Sequence, residues 1–301
     1  MLRTGIVAMA AAAPSGAGSG VTLGGGADAV AGVVHAPGAW TGEGAAGVEG
    51  DLTWREGAFE AVVALDVGVS LVPLFAYELV PEQLTLGGDA GPVWLQGGIA
   101  PAPWRVEAVD GWDNPLVTWS VEDRHALPGS LLALEVGLGS RDRGVSFLGG
   151  LDLGGGLNLF GDVGGAFVAA PLVAGVQGRI VEDNVTVAGG VFAWPDRPAV
   201  AAQVGGTFAF EGWTLIGQAT AGWNAPFGAH VEVDFLPEGV VTPVVRGELL
   251  GAQLGGAVGV RVKPTDWLFL KAEMAYADAA PQAWVEVAVF GETKVKRRKK
   301  R

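Results

Sequence analysis

Leu268 to Tyr276 reads LFLKAEMAY. Leu268, Leu270, Ala272, Met274 and Tyr276 take alternate positions, and Lys271 and Glu273 fall between them. Successive side chains of a β-strand point to opposite faces, so this spacing puts an apolar stripe on one face and charge on the other. The same reading holds upstream and downstream. Val231, Val233 and Phe235 alternate with His230, Glu232 and Asp234, and Val258, Val260 and Val262 with Gly259, Arg261 and Lys263. Val285, Val287 and Val289 alternate with Trp284, Glu286, Ala288 and Phe290. Leu151 to Val163, LDLGGGLNLFGDV, sets leucines against Asp152, Asn158 and Asp162, with Gly154 to Gly156 as a tight turn if two short strands share the run.

Turn signals separate these runs about every dozen residues, the spacing of consecutive antiparallel strands. Examples are Glu182-Asp183-Asn184, Pro195-Asp196-Arg197-Pro198, Pro237-Glu238-Gly239 and Lys263-Pro264-Thr265-Asp266. The nearest approach to a helix, Leu74 to Gln83, is interrupted by Pro81.

Alternation alone also fits a soluble β-sandwich. The second face decides between them, because here it carries much Gly and Ala with charges spaced apart, not the dense Lys, Glu and Thr of a solvated sheet. Glycine relieves crowding inside a closed barrel, while the apolar face meets lipid. Half of the residues are hydrophobic, 50 of 301 are glycine, and the mean hydropathy is +0.37. Yet no apolar run approaches the ~20 residues of a spanning helix. Trp194, Trp213, Trp223, Trp267 and Trp284 fall near strand ends, where a barrel sets its interfacial girdle. The expected fold is therefore all-β, a transmembrane antiparallel barrel. Val21 to Phe290, at roughly ten spanning residues per strand plus turns, makes room for about 16 strands, with 14 and 18 as neighbouring even numbers.

The chain divides into three parts. Residues 1–17 read as a secretory signal peptide, with Arg3 ahead of a short apolar run and Ser15 and Ala17 at the cleavage positions. Residues 18–292 form the barrel, whose last strand is expected over Ala283 to Phe290. Residues 293–301 are a basic tail expected to be disordered. Seven of the 19 basic residues lie there, so the remainder holds 12 against 32 acidic residues, a net of −20. So acidic a body repels nucleic acid, and if its charges line a lumen the field there favours cations.

Enzymatic constellations are poorly supported. His35, His125 and His230 stand in no metal-ligand spacing, cysteine is absent, and no Gly-x-Ser-x-Gly elbow or phosphate loop occurs. No catalytic residue, metal or cofactor is expected. The stretch Val93 to Glu122, VWLQGGIAPAPWRVEAVDGWDNPLVTWSVE, is the one irregular run in an otherwise monotonous chain. It predicts a long loop at about 104–130. Folded inward, such a loop narrows the lumen, and Arg105, Glu107, Asp110 and Asp113 supply opposed charges across the constriction. Trp112, with Trp104 and Trp119, wedges it against the wall. The same run reads equally well as an external loop with no contact with the pore.

Gly97 to Glu107, GGIAPAPWRVE, resembles the Gly-x-Phe-x-x-Pro-Phe-Gly-x-Glu pattern of bacterial outer-membrane porins of the phosphate-selective group. Gly98, Pro103 and Glu107 match, Trp104 replaces the second aromatic, and Arg105 replaces the glycine. The resemblance covers about 30 residues and implies an outer-membrane channel of roughly 16 to 18 strands. The lysine-rich lumen that would select anions is missing, so phosphate selectivity does not carry over. The expectation is a Gram-negative outer-membrane channel for small hydrophilic solutes or ions, preferring cations. Its partners would be membrane lipid, its solutes, the outer-membrane assembly machinery and, as an open choice, further copies of itself. A barrel with a plugged lumen and a structural, adhesive or assembly role is the alternative.

Overall fold

The computed structural model describes residues 20–36, 38–72, 76–101, 116, 130–153, 170–196, 199–225, 227–277 and 279–295. The signal segment 1–17 and residues 296–301 of the tail lie outside them.

The alternating runs form sixteen strands. They are β1 (Gly20–Ala36), β2 (Ala39–Glu56), β3 (Phe59–Val72), β4 (Ala76–Ala90), β5 (Val93–Pro101), β6 (Ser130–Gly139), β7 (Arg143–Asp152) and β8 (Leu172–Glu182). Then follow β9 (Val185–Trp194), β10 (Ala199–Phe210), β11 (Trp213–Trp223), β12 (Gly228–Phe235), β13 (Val241–Leu250), β14 (Gln253–Thr265), β15 (Leu268–Ala277) and β16 (Ala280–Val295). Each pairs antiparallel with its chain neighbours, and β1 pairs with β16 to close the ring. The two widest gaps between strands, residues 102–129 after β5 and 153–171 after β7, fall at the same end of the barrel as the β1–β2 hairpin.

The two faces are inverted relative to a soluble protein. Val231, Val245, Val258 and Met274 are exposed on the outside, whereas His230, Glu232, Arg246 and Glu273 on the alternate positions are buried inside. Apolar surface outside and charge inside is stable only where the outer solvent is hydrocarbon. Closure suits the same solvent, because it leaves no strand edge with unpaired N–H and C=O groups. The lipid-facing band can be sized from one strand. Trp213 and Trp223, at the two ends of β11, both face outward and are exposed. Ten residue steps of ~3.3 Å, tilted by ~40°, separate them by about 25 Å along the barrel axis, the height of an outer-membrane apolar band. Trp267, in the turn between β14 and β15, is likewise exposed.

Trp194 and Trp284 do not belong to that girdle. Both are buried on the inner face. Trp194 Nε1 donates to Asp152 Oδ2 at 2.9 Å, and Trp284 Nε1 to Gln282 Oε1 at 3.1 Å. Position near a strand end says nothing about which face a side chain takes; parity along the strand decides, and inside the barrel the indole N–H finds a polar acceptor. The last strand also runs beyond its expected end. Gly291 to Val295 continue β16 past Phe290 and pair with Gly25 to Val21. Thr293, Lys294 and Val295 are therefore part of the barrel and not of a tail.

The glycine content has a specific use on the inner wall. Gly32 lies directly across from Trp284, Gly137 from Trp94 and Gly175 from Phe192. A Cβ at any of the three would collide with the facing ring. The aromatic rings therefore lie flat over bare backbone, which fills the wall without crowding the interior. Gly50, on the outer face of β2, has open space where a Cβ would stand. Gly137→Val should therefore destabilise the barrel by about 1–3 kcal/mol, and Gly50→Val should cost much less. Urea midpoints of the two variants, read from the heat-modifiable gel shift of the folded barrel, check this ordering.

Candidate functional site: the barrel interior

Among the described residues, two sectors of the inner wall are rich in charge. In the first, spanning β12 to β16, acids and bases interleave. Glu232 of β12 stands across from Arg246 of β13, and Lys271 of β15 across from Glu286 of β16. Arg246 Nε donates to Glu248, two residues along the same strand face, and Arg246 Nη1 lies 3.5 Å from Glu232 Oε2. Lys271 Nζ lies 3.0 Å from Glu286 Oε1. Arg261 of β14 donates through Nη2 to the Pro237 carbonyl at 2.9 Å and to Thr242 Oγ1 at 3.2 Å. Each of these three bases thus has acceptors within its own wall, as buried charge requires.

The second sector, β1 to β3, is acidic. Asp28, Glu49 and Asp66 are buried on the inner face. Glu49 stands directly across from Asp66, and the other register partner of each is Gly26 or Val80. Asp28 stands between Ala288 and Gly47. Like charges placed opposite one another repel, and three inward carboxyl groups on adjacent strands give this sector its acidic character. A third sector, on β6 to β10, is mixed: Leu131, Leu148, Val173, Phe192, Trp194 and Ala201 form a buried cluster beside buried Ser146, Asp152 and Gln203.

Arg105, Glu107, Asp110, Trp112 and Asp113, proposed from sequence to form a constriction, lie outside the described residues, as do Trp104 and Trp119. The connection that carries them is anchored at two described points. At its root, Gly98 of β5 has φ +133°, and a Cβ there would strike the Leu84 carbonyl. Glycine tolerates that backbone and that approach; other residues do not. At its middle, Leu116 is 2% exposed and packs with Val244, Ala257 and Ala275, all on the inner wall of β13 to β15. Leu116 therefore lies inside the barrel. Sequence reasoning missed Leu116, because one apolar residue among tryptophans and charges carries no periodic signal. The wall charges of β12 to β16 were visible in the alternation.

No protein-family model matches this chain, and no curated protein matches it by sequence. Solved structures do match it in shape. A variant of Rh. blastica porin aligns with TM-score 0.65 at 10% identity, covering 90% of this chain and 100% of that one. A second variant of the same porin gives 0.62 at 10% identity over the same shares. A structure described under asymmetric conductivity of engineered proteins gives 0.63 at 10% identity, again covering 90% and 100%. The chain thus shares the 16-stranded closed barrel of those porins.

Truncating a buried ion-pair member strands the charge it faced. Arg246→Met should lower stability by about 3–5 kcal/mol, and adding Glu232→Gln and Glu248→Gln should restore most of that loss. Equilibrium unfolding in lipid vesicles measures both steps.

Proposed function

We propose that this barrel is an outer-membrane channel for passive diffusion of small hydrophilic solutes or ions, with a preference for cations. One observation carries the reading: an apolar outer wall that fits hydrocarbon encloses an inner wall lined with ionisable side chains. A structural barrel has no need of a charged interior, since charges taken out of water cost free energy unless water or counter-charges reach them. The shared architecture with porin structures supports the same reading.

The cation preference follows from the balance of the wall. Arg246 and Lys271 are held by carboxylates, and Arg261 by a carbonyl and a hydroxyl, so none stands as a bare anion site. Asp28, Glu49 and Asp66 add three carboxyl side chains to the inner wall of β1 to β3. For the same reason the resemblance to phosphate-selective porins is taken to extend to architecture and not to solute. The partners of this reading are membrane lipid and the permeating solute. Assembly machinery for insertion and self-association belong to it as expectations.

A second reading draws on the burial of the inner wall. Glu232, Arg246 and Asp66 are 1%, 3% and 2% exposed, and Leu116 lies among inner-wall side chains. A barrel so filled would serve a structural, adhesive or assembly role. Planar-bilayer recording separates the two. The channel reading expects discrete conductance steps and, under a salt gradient, a reversal potential of the sign for cations. That preference should fade between about 0.1 and 1 M salt, as the Debye length falls from ~10 to ~3 Å. Silence in the bilayer from correctly folded barrel would leave the filled-barrel reading.

A further inference from the structure

We infer that a row of amides and one carboxyl group on the inner wall of β5 to β8 is a binding site for a neutral polyhydroxylated solute, a short oligosaccharide. Passage of that solute rests on the channel reading; the site itself does not.

Parity puts the row inside. Gln96, Glu135, Ser146 and Gln177 alternate with exposed Leu95, Val136, Phe147 and Val176, so all four point into the barrel. Register then sets them side by side. Gln96 stands across from Glu135, and Ser146 across from Gln177, with Glu135 and Ser146 on the adjoining strands β6 and β7. Three strand intervals of ~4.8 Å make the row about 14 Å long, which suits several sugar rings in line better than one. Gln96, Glu135 and Gln177 are half-buried, open enough to meet a solute.

Each amide is held at one end. Glu135 Oε1 accepts from Gln177 Nε2 at 2.7 Å and from Ser146 Oγ. Gln96 Oε1 accepts from Arg141 Nη1 at 2.6 Å. Arg141 comes from the β6–β7 turn and is itself fixed, 5.0 Å over the Trp94 ring and with Nε 3.5 Å from Asp89 Oδ1. These contacts decide which way each amide faces. Gln96 Nε2 then offers two N–H donors, and Gln177 Oε1 and Glu135 Oε2 offer acceptors, none of them used by another described residue. A hydroxyl group both donates and accepts, so consecutive hydroxyls of a sugar satisfy all three. A free ion matches poorly, because Arg141 and Glu135 flank Gln96 with opposite charges. A zwitterion finds both of those charges already met by their own partners. Donors and acceptors pinned in advance lose little further freedom on binding, which gives an uncharged solute affinity.

Raffinose, a neutral trisaccharide, serves as the probe. Added to the folded barrel in a planar bilayer, it should interrupt the ion current at a frequency that saturates with concentration. Saturation should be alike at about 0.1 and 1 M salt, because the solute is uncharged. Gln96→Leu combined with Gln177→Leu should raise the half-saturating concentration by about ten-fold or more. Gln282→Leu, on the inner wall of β16, should leave it unchanged. Heat-modifiable migration shows which variants have folded, and either single substitution serves if the pair does not fold. Saturation-transfer NMR of raffinose with the barrel in lipid nanodiscs reads the same site without a current. An unchanged half-saturating concentration in the folded Gln96/Gln177 variant overturns the site. So does saturation by glycine betaine, a zwitterion, in place of raffinose. Saturation transfer that the Gln96/Gln177 variant loses, in a barrel that never conducts, retains the site and overturns the channel reading. Absence of both interruptions and transfer overturns the site.

Discussion

A backbone surrounded by hydrocarbon has no water to satisfy its N–H and C=O groups, and everything else in this barrel depends on how that demand is met. A sheet meets it only by closing on itself. The β1–β16 pairing is therefore the contact that makes the other fifteen strand pairings compatible with a membrane. Once closed, each strand has one face toward lipid and one toward the interior, and the period-two pattern becomes obligatory along the whole chain. Valines at 231, 245 and 258 are tolerated on the surface because of this inversion.

Closure also fixes what the inner wall can hold. Side chains pointing inward from a curved sheet converge, so bulk must be balanced against bare backbone. Pairing Trp284 with Gly32, Trp94 with Gly137 and Phe192 with Gly175 does this locally, strand by strand. The charges are balanced locally too. Arg246 and Lys271 meet carboxylates on their own or the adjacent strand, so the β12–β16 sector interleaves both signs while Asp28, Glu49 and Asp66 make β1–β3 acidic. The chemical character of the interior is thus a matter of sectors and not of one average charge.

The fold was largely readable from the sequence, because a barrel repeats one local rule sixteen times. Leu268 to Tyr276 and Val285 to Val289 each carry that rule unaided, and closure follows from their apolar faces. Less was readable wherever a decision depends on parity or on distant chain. Trp194 and Trp284 have the sequence context of girdle residues, yet their indoles turn inward toward Asp152 and Gln282. The end of β16 was placed at Phe290, but hydrogen bonding to β1, some 270 residues away, draws Gly291 to Val295 into the sheet. Leu116 was invisible for the same reason, since its significance comes from Val244, Ala257, Gly259 and Ala275 on the opposite wall. Local pattern specifies strands; it does not specify what meets across a closed ring.

The seam between β1 and β16 bears on time as well as space. Fifteen of the sixteen pairings are hairpin neighbours, formable as soon as two consecutive strands exist, whereas Val21 and Val295 meet from opposite ends of the chain. Joining ends so far apart costs, on the loop-closure relation, about 5 kcal/mol of chain entropy if nothing between them is ordered, and far less once the hairpins have gathered them. Hairpin assembly is therefore favoured ahead of the seam, and the nascent sheet carries two open edges until β16 has been made. During that interval the chain is most exposed to pairing with another copy of itself.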